Sequence, residues 1–476
     1  MYKKFNEDSK LIDFSRTTSD KRIAELADAL IEELSVKKKH IDKKKRILIS
    51  ILYNLKQNDS CGFTTAIPRG KNYYSKNLKR YKHENVSLAI VVDLIDKMKY
   101  QNKYVVDYLR GTKNEFTEAS QYQPSEYLNS FTQSLSYNNV SFIDEECILL
   151  RKKVPKKLKI TENPIKTSEQ NELTPEESLN TGLEDEGQVT KKLKKILIDY
   201  SDTDYTNRIR SELKEYNQFR TQHSISLMNL PAVMFKTKKY YDSIKKFTAV
   251  NISKIRPDSN GNYQIPLLKD RLFRIFTEDF EHGGRFYRGF ETQLRKELRP
   301  YIAINGSPTA ELDYSSYHIR MIYHMDKKRC PDDPYMVIEG LEDEVRDYYK
   351  LMVVACLNCK SEKSVLNTMR YFIIKEDLVD QFSSLKNERL KLGLDILIKH
   401  NRKVASHFFK GEGLIYHKID SEIANDILMY FTRRKPPVLA LCVHDSFIVA
   451  KEYEEELRRA MNKFYQVRLR KLPKIK

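Results

Sequence analysis

The chain has 476 residues, of which 40% are hydrophobic, and this length predicts two or three domains rather than one core. No apolar run approaches the ~20 residues of a membrane span, and the N-terminal MYKKFNEDSK has no apolar signal region, so we expect a cytoplasmic protein. The net charge of +19 favours a polyanionic partner, either nucleic acid or an anionic surface. Among the six cysteines, Cys356 and Cys359 have no second pair to complete a zinc site, which predicts reduced, buried thiols.

The first part of the chain combines helical patterns with short strand patterns. Two helices are predicted over residues 20–58, where apolar residues recur at helical spacing and Ser19 or Asp20 is the candidate cap of the first. A loop rich in Gly, Pro and Lys at 61–80 precedes a third predicted helix at 86–98.

A strand, a Gly-containing turn and a second strand are predicted in KYVVDYLRGTKNEF, residues 103–116. Helices followed by such a β-wing are typical of a winged helix, so residues 1–155 are predicted to form a winged-helix-like domain. A small α+β domain that binds a protein partner fits the pattern equally well. Basic residues interleaved with tyrosines favour a nucleic-acid partner, and Arg69 and Lys71 are the candidate contacts. The basic residues are Arg69, Lys71, Lys76, Lys79, Arg80 and Lys82, and the tyrosines are Tyr73, Tyr74 and Tyr81.

The composition changes between residues 156 and 192. The stretch ENPIKTSEQNELTPEESLNTGLEDEGQ has few large apolar residues and many acidic and polar ones, which predicts a disordered acidic linker at 156–192. Strands within 138–153 are predicted to close the N-terminal domain before this linker. A second domain follows at 193–476.

The second domain begins with sequence predicted to be helical, KKLKKILIDYSDTDYTNRIRSELKEYNQFR. Asn305-Gly306 predicts a turn, Ala310–Asp313 a short strand, and Tyr317–Met325 a helix directly after it. Residues 341–430 are predicted to be almost wholly helical. The stretch VLALCVHDSFIVA, residues 438–450, predicts a hairpin of two buried strands with His-Asp at its tip.

Two aspartates, Asp313 and Asp445, end strands on either side of a helical insertion of about 120 residues. Each has an ordinary structural explanation, because Asp is common in hairpin turns and acidic groups favour helix N-termini. Charged groups are rarely buried unless they are paired or bind a metal, and two adjacent carboxylates repel unless a cation lies between them. Two Mg²⁺ or Mn²⁺ ions are the usual partners of such a pair when the chemistry is phosphoryl transfer.

The order of these motifs resembles that in family A DNA polymerases and the related single-subunit, phage-type RNA polymerases. ELDYSSYHIRMIYH resembles motif A of that superfamily, and CVHDSFIV resembles motif C. GGRFYRGFETQLRKELRPYIAING resembles the stretch that precedes motif A, and GEGLIYHKIDSEIANDILMYF resembles the helix ahead of motif C. The similar stretches follow one another in the family's order over about 170 residues.

The resemblance implies an α+β chain in which the winged-helix-like domain is followed by a right-hand, polymerase-like domain. That domain would have a small antiparallel palm sheet and a largely helical remainder. It implies a thumb-like segment at 193–280, a palm at 281–330 and 420–476, and fingers at 331–419. No segment upstream of residue 190 resembles a proofreading exonuclease, so synthesis without proofreading is expected.

The same resemblance assigns roles around the two aspartates. Asp313 and Asp445 would hold two metal ions, with the backbone of Tyr314 as a further ligand. His444 and Arg320 would position the primer end, the nucleotide or the carboxylates. Arg285 and Arg299, from the stretch before motif A, would track the template–primer backbone.

The motif B helix, LNCKSEKSVLNTMRYFI, departs from the family pattern. It has Lys363 and Tyr371 at the separation that the family uses to bind the nucleotide, but Cys359 stands where the family has Arg, and Phe372 where it has Gly. A solvated face of an ordinary helix fits these charges too. Other cations for the triphosphate are, by the resemblance, Lys360, Arg370 and Arg285.

His318 occupies the position at which the family selects the sugar. The DNA-polymerising members have Glu there and the RNA-polymerising members a small residue. His318 is bulky, which favours deoxynucleotides, although its ring could also hydrogen-bond a ribose 2′-OH.

The sequence and the resemblance therefore favour a template-directed nucleotidyltransferase that acts on a DNA or RNA template–primer and on nucleoside triphosphates, with dNTPs favoured over NTPs. Two alternatives remain open at this point. One is a DNA-binding replication or defence factor of a mobile element with a degenerate polymerase core, which the altered motif B favours. The other is a metal-dependent nuclease, although the further Asp, Glu or His ligands typical of nucleases are missing near the pair.

Overall fold

The computed structural model describes residues 9–18, 20–69, 86–109, 120–132, 140–142, 146–155, 193–337, 343–375 and 387–476. The predicted linker at 156–192 lies outside the described residues, as do Ser19 and Lys71. The chain is mixed α and β with small sheets, which agrees with the predicted α+β class. In the described parts, every helix is too short or too polar to cross a membrane.

The N-terminal part packs three longer helices and one short one on two small sheets. The helices are α1 (Lys21–Glu33), α2 (Ile41–Ser60), α3 (Leu88–Lys99) and α4 (Glu126–Thr132). The strands are β1 (Ser9–Leu11), β2 (Arg16–Thr18), β3 (Thr64–Ile67), β4 (Val105–Leu109), β5 (Ser120–Pro124) and β6 (Val140–Phe142). One sheet has the order β1-β3-β5-β4, and β2 pairs with β6.

The predicted helices of this part are confirmed, and the cap of α1 is Asp20, whose carboxylate accepts the backbone N–H of Arg22 at 3.0 Å. The loop predicted at 61–80 is wrong at its start, because Thr64–Ile67 forms the fully buried strand β3. β4 and β5 form an antiparallel pair like a wing, but β3 and β1 extend it into a four-stranded sheet. The winged-helix assignment therefore stays a prediction.

The C-terminal part has ten helices in its described residues, and two sheets. Its strands are β7 (Ile148–Pro155), β8 (Leu193–Leu197), β9 (Ile225–Pro231), β10 (Asn262–Pro266), β11 (Phe273–Thr277), β12 (Asp279–Tyr287), β13 (Ile302–Ile304), β14 (Ser307–Asp313), β15 (Leu441–Val443) and β16 (Ser446–Ala450). Its helices are α5 (Asp204–Arg220), α6 (Ala232–Lys236), α7 (Lys238–Phe247), α8 (Phe290–Gln293), α9 (Tyr317–Met325), α10 (Asp343–Asn358), α11 (Glu362–Lys375), α12 (Asn387–His400), α13 (Gly413–Arg433) and α14 (Glu454–Leu469).

The larger sheet is six-stranded, with the order β10-β9-β13-β14-β16-β15 and antiparallel pairing throughout. The predicted turn at Asn305-Gly306 joins β13 to β14, and both residues have positive φ, as this short connection requires. The segment 193–280, predicted to be thumb-like, supplies two strands of this sheet, β9 and β10. Leu312 and Phe447 face each other across β14 and β16 and are buried in the main core.

The smaller sheet has the order β12-β11-β7-β8 and reaches back across residue 155. The prediction that 138–153 closes the N-terminal part therefore fails for β7, which pairs with β11 and β8. The predicted helix at the start of the second domain is wrong over Leu193–Leu197, which is strand β8. The long-range partner β7 decides the conformation there, which a local pattern cannot show.

A second core lies among α9, α10, α11 and α12, and it confirms the predicted helical character of the described residues within 341–430. Helix α9 joins this core to the sheet. Its Tyr317 and Met321 pack in the main core, whereas Ile319 and Ile322 pack in the helical one. The strand–turn–helix unit around Asp313 is therefore fixed from both sides.

Candidate active site

Asp313 lies on a strand of the six-stranded sheet, and Asp445 lies in the turn that leads into the neighbouring strand. Asp313 ends β14 and lies directly opposite Ser446, the residue after Asp445. Directly opposite Cα atoms in antiparallel pairs are ~4.5–5.5 Å apart, which brings the two aspartates to one edge of the sheet. The Tyr314 backbone N–H donates to the Asp445 carbonyl at 3.2 Å and ties the two segments together.

The turn that carries Asp445 is short and well supported. Val443 pairs with Ser446, so only His444 and Asp445 form the loop of the hairpin. His444 has a φ of 58°, and its ring packs edge-on against Tyr287 of β12, with centroids 5.6 Å apart. Because the strands on both sides are buried, Asp445 is held at a rigid tip. The hairpin predicted from the sequence is confirmed.

Asp313 has two carboxylate oxygens in different surroundings. Its Oδ1 atom is buried and accepts no hydrogen bond from the described residues, while its Oδ2 atom lies 3.3 Å from the Lys476 ammonium. Burial raises the pKa of Asp313, and the charges of Lys476 and Lys350 oppose this rise. A buried carboxylate oxygen without a donor is a costly arrangement unless a cation completes it.

The donor set suits Mg²⁺ or Mn²⁺. Carboxylate oxygens are the ligands that these hard cations prefer, and Mg²⁺ is usually held by one or two carboxylates together with water and substrate phosphates. Among the described residues, no group of three or more His, Cys, Asp or Glu side chains is arranged to hold a metal. The two carboxylates of Asp313 and Asp445 therefore fit an ion whose other ligands are water and substrate phosphates.

Arg299 supports the strand that carries Asp313. Its guanidinium pairs with Glu311 at 3.1 Å, and the same Glu311 oxygen accepts the Ser446 hydroxyl at 2.6 Å. Glu311, Asp313 and Ser446 share one face of the sheet, since they are two residues apart or directly opposite. Arg299 thus braces β14 against β16, and its predicted contact with nucleic acid stays a prediction.

A buried charged cluster lies beside the site. Asp420 of α13 is 1% exposed, and its Oδ2 accepts Arg285 Nε at 2.8 Å and Nη2 at 2.6 Å. His318 Nε2 lies 3.0 Å from the same oxygen, and its ring is 5.2 Å from that of His417. The pKa of Asp420 is lowered: burial, the largest influence, would raise it, but the Arg285 charge and the His318 contact outweigh burial.

Sequence reasoning missed Asp420 and Lys350. The signal for Asp420 was a charged residue within an otherwise apolar stretch of GEGLIYHKIDSEIANDILMYF, where a buried carboxylate needs a partner. Lys350 gave no local signal, because it is one of several charged residues on α10. Its nearness to Asp313 follows only from the packing of α10 and α9 in the helical core.

The other predicted residues have different surroundings. Arg320 is buried and donates to the backbone carbonyls of Ser315, at 3.3 Å, and Asp332, at 2.9 Å. Arg69 donates from Nε to the Tyr122 hydroxyl at 3.0 Å and pairs with Asp96. These arginines hold the fold around them, and their predicted roles with nucleotide and nucleic acid stay predictions.

Helix α11, in the stretch that was expected to resemble motif B, packs on α10 and α12 through its apolar face. Lys360 and Lys363 are exposed, Tyr371 is 43% exposed, and Arg370 donates to Asn367 at 2.7 Å. Cys359, at the position where the family has Arg, is buried, and its sulfur contacts the Thr368 hydroxyl at 3.5 Å. That position therefore faces the helical core, which accounts for the apolar thiol there.

His324 makes the fold sensitive to acid. Its Nδ1 lies 2.8 Å from the Tyr465 hydroxyl, and burial, together with Arg320, lowers its pKa from 6.5 to about 4. As the pH falls, His324 is therefore protonated in the unfolded chain before it is protonated in the folded protein. The stability associated with a neutral His324 is fully present above pH 6.5 and is lost as the pH falls toward 4, by up to about 3 kcal/mol.

We expect the urea midpoint to fall between pH 7 and pH 4, and to fall less steeply in His324→Gln, which cannot be protonated. Urea unfolding followed by circular dichroism at several pH values measures this difference. Equal pH dependences in the two proteins would contradict the assignment.

No family model matches this chain, and neither does any curated protein. Among solved structures, the polymerase (POL) domain of Pol1 from M. smegmatis, in complex with DNA primer-template and dNTP, is similar to it, with a TM-score of 0.27 and 14% sequence identity. The match covers 50% of this chain and 49% of that chain. Similarity at this level establishes neither a common fold nor a common activity.

Proposed function

We propose that the protein is a template-directed nucleotidyltransferase that adds nucleotides to a 3′-OH, with dNTPs preferred. The observation that carries the proposal is the placement of Asp313 and Asp445 where two neighbouring antiparallel strands meet at one end of the sheet. One buried oxygen of Asp313 accepts no hydrogen bond from the described residues. A bound cation would compensate such an oxygen, and two carboxylates where neighbouring strands end suit metal-assisted phosphoryl transfer. The motif A and motif C resemblance supports the same reaction independently.

Different residues would bind the metal ions and the nucleotide. Asp313 and Asp445, with the Tyr314 backbone, would hold the two Mg²⁺ or Mn²⁺ ions, which when bound lower the pKa of the attacking hydroxyl and neutralise the leaving pyrophosphate. The rigid hairpin keeps Asp445 in register with Asp313 by its bond to Tyr314. Lys350 adds positive charge beside Asp313, where an anionic triphosphate would enter. Lys363 and Tyr371, exposed on α11, would bind the nucleotide itself.

Primer extension tests this proposal. A labelled primer annealed to a longer template is incubated with Mg²⁺ or Mn²⁺ and either four dNTPs or four NTPs. We expect extension with either ion, more with dNTPs, and none in EDTA. No incorporation on DNA or RNA templates with either ion would contradict the proposal.

His318 is expected to select the sugar. Its ring is 12% exposed and is held by Asp420, so its bulk cannot swing away from an incoming ribose. We expect His318→Ala to raise NTP use relative to dNTP use by about tenfold or more, since steric discrimination against one added hydroxyl reaches up to ~10²-fold. The ratio of kcat/KM for one matched dNTP and NTP measures it, with His282→Ala as the control. An unchanged ratio would remove His318 from sugar selection.

The second candidate is a DNA-binding factor with a degenerate polymerase core. The buried Cys359 favours it, because the family's Arg is absent and the position faces the helical core. Under this function DNA binding persists in Asp445→Asn and no metal-dependent synthesis exists. Metal-dependent synthesis that is lost in that variant would exclude it.

A further inference from the structure

The segment after α14 folds back onto the candidate active site. Arg470 ends the helix with a φ of 57°, and Pro473 prevents the helix from resuming. Asp313 N–H then donates to the Lys476 carbonyl, and Lys476 N–H donates to the Asp313 carbonyl, both at 3.0 Å. Ser315 N–H donates to the Lys474 carbonyl at 2.7 Å. Residues 474–476, called the tail strand below, thus pair with the end of β14.

Alternation along the tail strand directs its side chains. Ile475 is partly buried against the main core, so Lys474 and Lys476 project to the opposite side. Lys474 donates from Nζ to the Asp332 carbonyl at 3.3 Å. Lys476 places its ammonium 3.3 Å from Asp313 Oδ2. Two lysines of one short segment therefore have different partners, and only Lys476 meets the carboxylate of the site.

We propose that Lys476 is part of the active site and competes with the metal ion for Asp313. The inference rests on the proposed function, since it assigns Asp313 to a metal. The Lys476 ammonium lies at Oδ2, and a metal ion on the buried Oδ1 would draw on the same single negative charge. Each cation therefore weakens the attraction of Asp313 for the other, while the backbone pairing of the tail strand stays in place.

The ion pair between Lys476 and Asp313 is accessible to solvent. The Lys476 side chain is 63% exposed and that of Asp313 is 33% exposed, and an ion pair this accessible holds its partners weakly. Its removal is therefore expected to change metal affinity by about two- to fivefold rather than by orders of magnitude. The main-chain bonds do not depend on the lysine side chain, so a substitution there leaves the tail strand paired.

Binding of Mn²⁺, followed by electron paramagnetic resonance without DNA or nucleotide, tests this inference. Lys476→Met removes the ammonium but keeps the length of the side chain, and Lys474→Met is the matched control with the same change in net charge. We expect Lys476→Met to lower the Mn²⁺ Kd about two- to fivefold, and Lys474→Met to leave it near the wild-type value. Asp313→Asn is expected to abolish Mn²⁺ binding in the wild type and in both lysine variants.

The other outcomes separate the two proposals. If Asp313→Asn loses Mn²⁺ but Lys476→Met binds it as the wild type does, the competition is wrong and the proposed function stands. If both lysine variants gain affinity for Mn²⁺ equally, the gain comes from the lower net charge of the protein, and the competition is wrong. If none of the proteins binds Mn²⁺, both the competition and the metal site of the proposed function are overturned.

Discussion

Asp445→Asn is expected to lower nucleotide incorporation on the order of 10³-fold or more, because the lost carboxylate supplies several kcal/mol of charge stabilisation through the metal it would hold. Asn is as well suited as Asp to a hairpin turn, so the β15–β16 connection is expected to form normally. Single-turnover incorporation of one matched dNTP, with enzyme in excess over primer–template, measures the loss without interference from product release. Asp313→Asn is expected to show the same loss.

Two comparisons make this prediction specific. Asp258→Asn changes an exposed aspartate in another turn, whose carboxylate accepts the N–H groups of Asn260 and Asn262, and is expected to retain activity. DNA affinity and the urea midpoint of Asp445→Asn are expected to stay near wild type, since the tip is partly exposed. Retention of more than about a tenth of the activity would mean that Asp445 is only a turn residue.

Arg285→Met is expected to destabilise the protein by about 3–5 kcal/mol, because it leaves the Asp420 carboxylate buried without its guanidinium partner. Arg285 and Asp420 are 4% and 1% exposed, and their two hydrogen bonds are 2.8 and 2.6 Å long. Adding Asp420→Asn in the same chain removes the uncompensated charge and is expected to restore part of the loss. Urea unfolding of the two variants measures both effects.

Urea unfolding, together with DNA binding by the same variants, decides between two roles of Arg285. The resemblance assigns it to the template–primer, whereas its surroundings make it the partner of Asp420 and a neighbour of His318. Arg256→Met, at an exposed position, controls for the loss of one positive charge from a basic protein. A destabilisation below about 1 kcal/mol with a marked loss of DNA affinity would make Arg285 a nucleic-acid contact instead.

Much of the site could be predicted because its signals are local. The apolar runs around His444 and Asp445 specify a hairpin, and Asn305-Gly306 fixes the preceding turn. The helical spacing after Asp313 gives α9 with the bounds that were expected, Tyr317–Met325. In each case the residues that decide the conformation are neighbours in the sequence.

What was missed depends on partners far along the chain. Strand β8 looked helical because its pairing with β7 cannot be read from KKLKKIL. The tail strand gave no strand signal, since its conformation follows from hydrogen bonds to Asp313 and Ser315. Asp420 could be flagged as a buried charge, but its partners Arg285 and His318 lie more than one hundred residues away.

Template-directed, metal-dependent nucleotide addition at Asp313 and Asp445 can be tested in a single assay. Four primer–templates that differ only in the first templating base are each offered the four labelled dNTPs singly, with Mg²⁺, with Mn²⁺ or with EDTA. We expect the added nucleotide to follow the templating base, to require a metal ion and to disappear in Asp445→Asn. No addition on any template, or addition that ignores the templating base or survives in Asp445→Asn, would contradict it.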